Sequence, residues 1–122
     1  MARREDLALE ARWVDAQFVT DGAALAMVEM IRTGTTTAAD MYFFSPIGWR
    51  PPPAQAHFRM QIAFPIVDAA TPWAADAAEA IRRGLELYDQ CRDDDLIQVA
   101  FGPHSTYALG TRALEPRAHA CR

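Results

Sequence analysis

From Arg59 to Ala100 the chain alternates between two kinds of hydrophobic period, and that alternation limits its fold more than any other feature. Arg59-Met60-Gln61-Ile62-Ala63-Phe64 is a short β-prone run ending near Pro65, a residue that cannot donate to a central ladder. Ala74, Ala77, Ala78, Ile81, Leu85 and Tyr88 then recur at helical steps, while Asp76, Glu79, Arg82, Arg83 and Glu86 lie off that stripe. Thr71-Pro72 supplies a capping residue and a first-turn proline, so a helix is predicted over Pro72 to Asp89. Glu79 and Arg83 stand one turn apart on its wet side and are expected to pair. After the polar turn Asp93-Asp94-Asp95, the apolar run Leu96 to Ala100 reads as the next strand. Strand, helix, strand in that order predicts α/β architecture with parallel crossovers.

The N-terminal half repeats the rhythm. Asp15 can cap a helix running to about Thr33, with Ala24, Met27, Val28 and Ile31 as its apolar stripe and Gly34 as its left-handed stop. Thr35 to Met41 then reads as a strand, short enough to be buried on both faces. The segment Ser45 to His57 breaks the pattern: Pro46, Gly48 and Pro51-Pro52-Pro53 exclude a helix there and give it the character of an extended linker. The tail from Gly110 to Arg122 has no apolar period.

At 122 residues the chain is one domain at most. Its 12 basic and 16 acidic residues leave a net charge of -4, with the basic residues dispersed among acids, which speaks against nucleic acid or an anionic membrane as partner. No apolar stretch resembles a signal-peptide core or a membrane span, so the expected location is the cytoplasm. Cys91 and Cys121 lack metal-ligand spacing and read as two isolated thiols, with a single disulfide as the alternative.

Two segments carry a resemblance. Gly34-Thr35-Thr36-Thr37-Ala38-Ala39-Asp40-Met41-Tyr42-Phe43-Phe44 and Phe101-Gly102-Pro103-His104-Ser105-Thr106-Tyr107 each place polar and aromatic residues at the end of a buried strand. With Glu10 to Val14 and Phe58 to Asp68, they resemble the amidohydrolase superfamily, in its chlorohydrolase and deaminase branch. The likeness is closest to the 5'-methylthioadenosine/S-adenosylhomocysteine deaminases. It extends over residues 10–44 and 58–109 and stops outside them, at 1–9, 45–57 and 110–122. Members fold as (β/α)8 barrels of about 250 residues. The resemblance therefore implies a partial TIM barrel, an incomplete segment with about three parallel strands and two main helices. Members use a divalent metal, zinc or iron or manganese, held by a His-x-His pair, two further histidines and an aspartate. This sequence has no His-x-His, and its histidines are His57, His104 and His119. No catalytic residue and no metal ligand is assigned in it.

The resemblance implies that His104, in Gly-Pro-His-Ser, faces the substrate and does not bind the metal. Without it, a histidine in a loop reads as surface decoration. Asp40 is either a carboxylate at the barrel mouth or the cap of the following turn. Tyr42, Phe43 and Phe44 wall a ligand pocket or fill the core, and Trp73 is a lid or a packing residue. Asp68 can cap the loop after its strand, and Asp93 to Asp95 form a solvated turn. His57 and His119 fall outside the resembling segments.

The implied function is that of a fragment of a metal-dependent hydrolase, a deaminase or chlorohydrolase acting on a C–N or C–Cl bond of a purine or triazine-like ring through metal-activated water. By itself the chain is expected to be inactive and to self-associate through exposed sheet edges. The Pro, Arg and Ala bias of Arg50-Pro51-Pro52-Pro53 and of residues 112–122 fits a truncated or frameshifted gene. The alternative is a free-standing, non-catalytic α/β binding or interaction module derived from such a barrel.

Overall fold

The computed structural model describes Glu10, residues 12–42 and residues 56–110. The first long helix, α1, spans Ala16–Arg32. Asp15 caps it, its carboxylate accepting the Phe18 N–H at 2.8 Å. Gly34, at φ 86°, ends it: the Thr35 and Gly34 N–H groups donate back to the Met30 and Ile31 carbonyls, a Schellman closure. Because Gly34 and Thr35 serve this closure, the strand that follows starts later than the sequence suggested. It is β1, Thr37–Asp40.

Strand β2 spans Arg59–Ile66 and β3 spans Ile97–Pro103, with helix α2, Ala77–Cys91, between them. The sheet order is β1-β2-β3 and both pairings are parallel, with Ala38 opposite Met60 and Ile62 opposite Val99. The architecture is α/β, a partial barrel wall of three parallel strands and two main helices, as the alternation of periods requires.

Strand β2 does not stop before Pro65 as expected. In a parallel sheet alternate residues bond to opposite neighbours, and Met60 bonds toward β3, donating to the Leu96 carbonyl. Pro65 therefore turns its nitrogen toward β1, whose last paired residue, Asp40, lies opposite Ile62. The missing N–H falls beyond the end of that ladder. Pro103 follows the same logic in β3, facing the outer edge of the sheet.

Both helical stripes need correction. In α1 the buried residues are Val19, Ala23 and Met27, while Val28 and Ile31 are about half exposed. Phe18 and Leu25 add apolar surface on the outer side, so the helix is apolar over most of its circumference and its period alone does not choose a face. Helix α2 starts at Ala77 and not at Pro72. Thr71 closes a separate turn, its hydroxyl accepting the Ala74 N–H at 3.0 Å, and Asp76 is the cap, accepting the Glu79 N–H at 2.8 Å. Its buried row is Ala77, Ala80, Gly84 and Leu87, with Leu85 and Tyr88 exposed. Small residues let the helix settle on Phe64, and a Cβ at Gly84 would overlap that ring. The expected Glu79–Arg83 pair is present at 2.7 Å.

The core lies between the helices and one face of the sheet. Met60, Ile62, Phe64 and Ile66 of β2 run through its two clusters, meeting Ala23, Met27 and Leu87 at one end and Trp73, Ala80 and Leu109 at the other. The opposite face of β2 carries the exposed Arg59 and Gln61. Of the segment read as linker, residues 45–55 lie outside the described ones. Ala56 has helical backbone and packs against the core, and His57 enters β2 at φ 50°. No helix among the described residues is long and apolar enough to cross a membrane.

Candidate functional site

All three strands deliver their outlets to one edge of the sheet. Carboxyl ends of parallel strands are where α/β folds bind ligands, because loops there are free to vary above a rigid frame. Which side chains face a ligand is then set by the two-residue alternation of each strand.

In β3, Ile97 is part of the core and Val99 and Phe101 pack against it. Gln98, Ala100 and Gly102 therefore occupy the inner face, away from the helices. His104, the first residue after Pro103, continues that inner series and is exposed. Its N–H donates to the Ile66 carbonyl at 3.2 Å, so the parallel ladder carries on to the histidine itself.

In β1, Ala38 packs against the core, which puts Asp40 on the helix side and Thr37, Ala39 and Met41 on the inner face. Asp40 is half-buried, and burial raises its carboxyl above the ordinary 3.8, partly opposed by a hydrogen bond with the Met41 backbone. Tyr42 is raised above 10.0, first by burial and then by the charges of Glu10 and Asp40. Phe43 and Phe44 lie outside the described residues. Met41, which the sequence reading passed over, reaches across the inner face: a Cβ at Gly102 would stand 2.9 Å from its sulfur. The same Cβ would stand 2.8 Å from the Phe64 carbonyl oxygen, so Gly102 makes room for that backbone as well as for Met41; the signal for Met41 in the sequence was the alternation 37, 39, 41.

The outlet of β2 closes over this edge. Asp68 takes the Gly110 N–H on its carboxylate at 2.6 Å and donates its own N–H to the Ala108 carbonyl at 3.0 Å. Trp73 is a packing residue, 4% exposed, its ring centroid 6.1 Å from that of Phe64. Its Nε1 and the Ser105 Oγ are buried without a hydrogen-bond partner among the described residues. Asp94 forms the expected turn, its carboxylate accepting the Leu96 N–H at 2.8 Å. His57 is exposed at the far end of β2, away from the strand outlets. Cys91 is present as a thiol, and Cys121 and His119 lie outside the described residues.

A parallel sheet with helices on one face and all strand outlets on one edge has the layout of a section of a (β/α)8 barrel wall. No protein-family model matches the chain. Curated relatives do: it is 48% identical over 107 residues to a 5-methylthioadenosine/S-adenosylhomocysteine deaminase of Teredinibacter turnerae, and 44% identical over 106 residues to one of Saccharophagus degradans. Those alignments take in 88% and 87% of this chain but 24% of each relative, so the chain spans about a quarter of their length. Among solved structures it superposes on an adenosine deaminase of Xanthomonas campestris with bound zinc. There the TM-score is 0.85 and the identity 38%, over 93% of this chain and 26% of that one. Over most of its length the chain is therefore homologous to one section of the methylthioadenosine/S-adenosylhomocysteine deaminases, enzymes of the amidohydrolase type.

The zinc of the Xanthomonas protein raises the question of a metal here. Among the described residues no group of three His, Cys, Asp or Glu side chains is placed to hold an ion. Those residues do not fit a metal centre by themselves.

Proposed function

We propose that the chain is one section of a metal-dependent deaminase barrel, and that its part in the reaction is to hold an aminated purine against the C-terminal edge of the sheet. The observation that supports this best is the position of His104, on the inner face at the outlet of β3, in a sequence 48% identical to a deaminase of this kind. Its imidazole can donate to or accept from a ring nitrogen or a sugar hydroxyl. Met41, on the same face, offers a polarisable apolar side chain to a base. Hydrolysis of the C–N bond, or of a C–Cl bond on a triazine-like ring in the wider branch, also requires a metal-activated water and a proton-carrying acid. Among the described residues no group is placed to hold the metal, and our reading is that the chain by itself is inactive.

Two measurements test this. The purified chain, supplied with zinc, manganese or iron and with methylthioadenosine, S-adenosylhomocysteine or guanine, should release no ammonia above a blank. Residues 10–110 should also be grafted in place of the corresponding section of the Teredinibacter enzyme and His104→Ala introduced. Metal content should hold while turnover falls or the substrate requirement rises, since one lost neutral hydrogen bond costs about 0.5–1.5 kcal/mol. Stoichiometric metal loss would make His104 a ligand and sink the reading.

A further inference from the structure

His104 sits between two tethers, and the second is made by a residue to which the substrate-binding reading gives no part. The first tether is the bond from the His104 N–H to the Ile66 carbonyl. Beyond it the chain makes a turn closed by the Ala108 N–H on the Ser105 carbonyl at 3.2 Å, and then returns to the outlet of β2. There Asp68 grips it twice, donating to Ala108 and accepting from Gly110 across a sequence separation of 42 residues. Leu109, between those two contacts, is 8% exposed and packs into the cluster that holds Ile66 and Trp73.

We propose that Asp68 is a positioning residue for His104: its carboxylate clasps Gly110 and so fixes the path of residues 104–110. This rests on the reading of His104 as a substrate contact. The bond to Ile66, the backbone bond from residue 68 to Ala108 and the burial of Leu109 do not depend on the side chain at 68; the carboxylate adds a hold at Gly110 that narrows the path of the loop, and side chains that bind or orient a ligand lose much of their effect when displaced by an ångström. At 2.6 Å the clasp has the length of a charge-assisted bond, the stronger class of hydrogen bond. It spans the outlets of β2 and β3, which are hydrogen-bonded neighbours in the sheet, so it adds a side-chain rung where the backbone ladder has ended.

The test uses the full chain and NMR. In Asp68→Ala the Gly110 amide should exchange about tenfold faster or more, the size expected for loss of a charge-assisted bond, while the amides of Ile62 and Val99 keep their protection. The His104 ring protons should shift or broaden in the same variant. Asp68→Asn, which keeps an acceptor, should restore most of the wild-type ring signal. Gly110→Pro removes the donor from the other side and should reproduce the Asp68→Ala ring spectrum, which keeps the test decisive should Asp68→Ala fail to fold. An unchanged His104 ring signal with the Gly110 amide released would overturn the proposal, as would a Gly110 amide that does not respond to Asp68→Ala. Adenosine titrated into the wild-type chain tests the other reading separately. If the His104 ring fails to respond to adenosine, the substrate contact falls and the clasp result stands unaffected.

Discussion

Single residues decide how closely the layers of this molecule approach, and glycine is the plainest case. Gly84 lies under the Phe64 ring, whereas Gly22, also helical, has nothing within 4 Å of where a Cβ would be. Alanine gains about 1 kcal/mol of helix propensity at either site. At Gly84 overpacking of about 1–3 kcal/mol opposes it, against an aromatic ring held by its own neighbours. Gly22→Ala should therefore raise stability in chemical denaturation and Gly84→Ala should lower it. Equal stabilisation by both would mean that Phe64 can move away. Asp40 gives a second contrast, this time in pH. Burial raises its carboxyl above 3.8, so the folded chain resists ionisation more than the unfolded chain does. Below that value both states are protonated and there is no penalty; as pH rises, the unfolded state ionises first and stability falls until the folded carboxyl has ionised too. The stability of Asp40→Asn relative to wild type should climb across that window, measured as denaturation midpoints against pH. A flat difference would show that the carboxyl ionises as easily folded as unfolded. At this scale the sequence was partly legible. That His104 directly follows β3 was legible from the apolar run before it, but Met41 and the Asp68 clasp depend on alternation past the strand ends and on a contact 42 residues away in sequence.

Elements were legible in kind and less so in extent. Each of the three strands and two main helices falls where the hydrophobic periods placed it, since a change of period from two to 3.6 residues is a local signal. Ends and faces are set by tertiary context. Pro65 reads as a stop until its nitrogen is seen to point past the end of β1, and the α2 stripe reads as Ile81, Leu85 and Tyr88 until Phe64 is seen to require Ala80 and Gly84. The C-terminus of α1 is the opposite case, fixed by one residue. Gly34, at φ 86°, makes the Schellman closure that ends α1 and aims β1. Gly34→Ala puts a Cβ into the left-handed region, where the space around it is open and the backbone alone resists. The expected cost is about 1 kcal/mol. Gly34→Asn should cost less, because asparagine tolerates that region better. A thermal melt of the pair checks the order, and equal losses would point to side-chain crowding as the cause.

The whole molecule has a finished core on one face of its sheet and surfaces elsewhere that resemble the interior of something larger. Helix α1 presents Phe18, 60% exposed, and Leu25, 65% exposed, on its outer side, beside an open hollow of about 720 Å³ lined in part by Leu25, Val28 and Met30. β1 and β3 end the sheet, and no further strand among the described residues pairs with either of them. Unprotected parallel edges recruit other strands, and an apolar helix face adds the burial that holds them. Sedimentation velocity over a concentration series should therefore show self-association. The same alternation that explains Pro65 identifies where to interrupt it. In β1 the Ala38 and Asp40 backbone groups face β2, so those of Thr37 and Ala39 face the open edge. Ala39→Pro removes an outward N–H without breaking the internal ladder, as Pro103 already does on the opposite edge. If β1 carries the association, Ala39→Pro should shift the chain toward monomer while its circular dichroism is retained. Association unchanged in that variant but abolished by Leu25→Glu with Val28→Lys would assign it to the α1 face, and a wild-type chain that sediments as a sharp monomer and unfolds cooperatively would show that a quarter-length section of this barrel is self-sufficient.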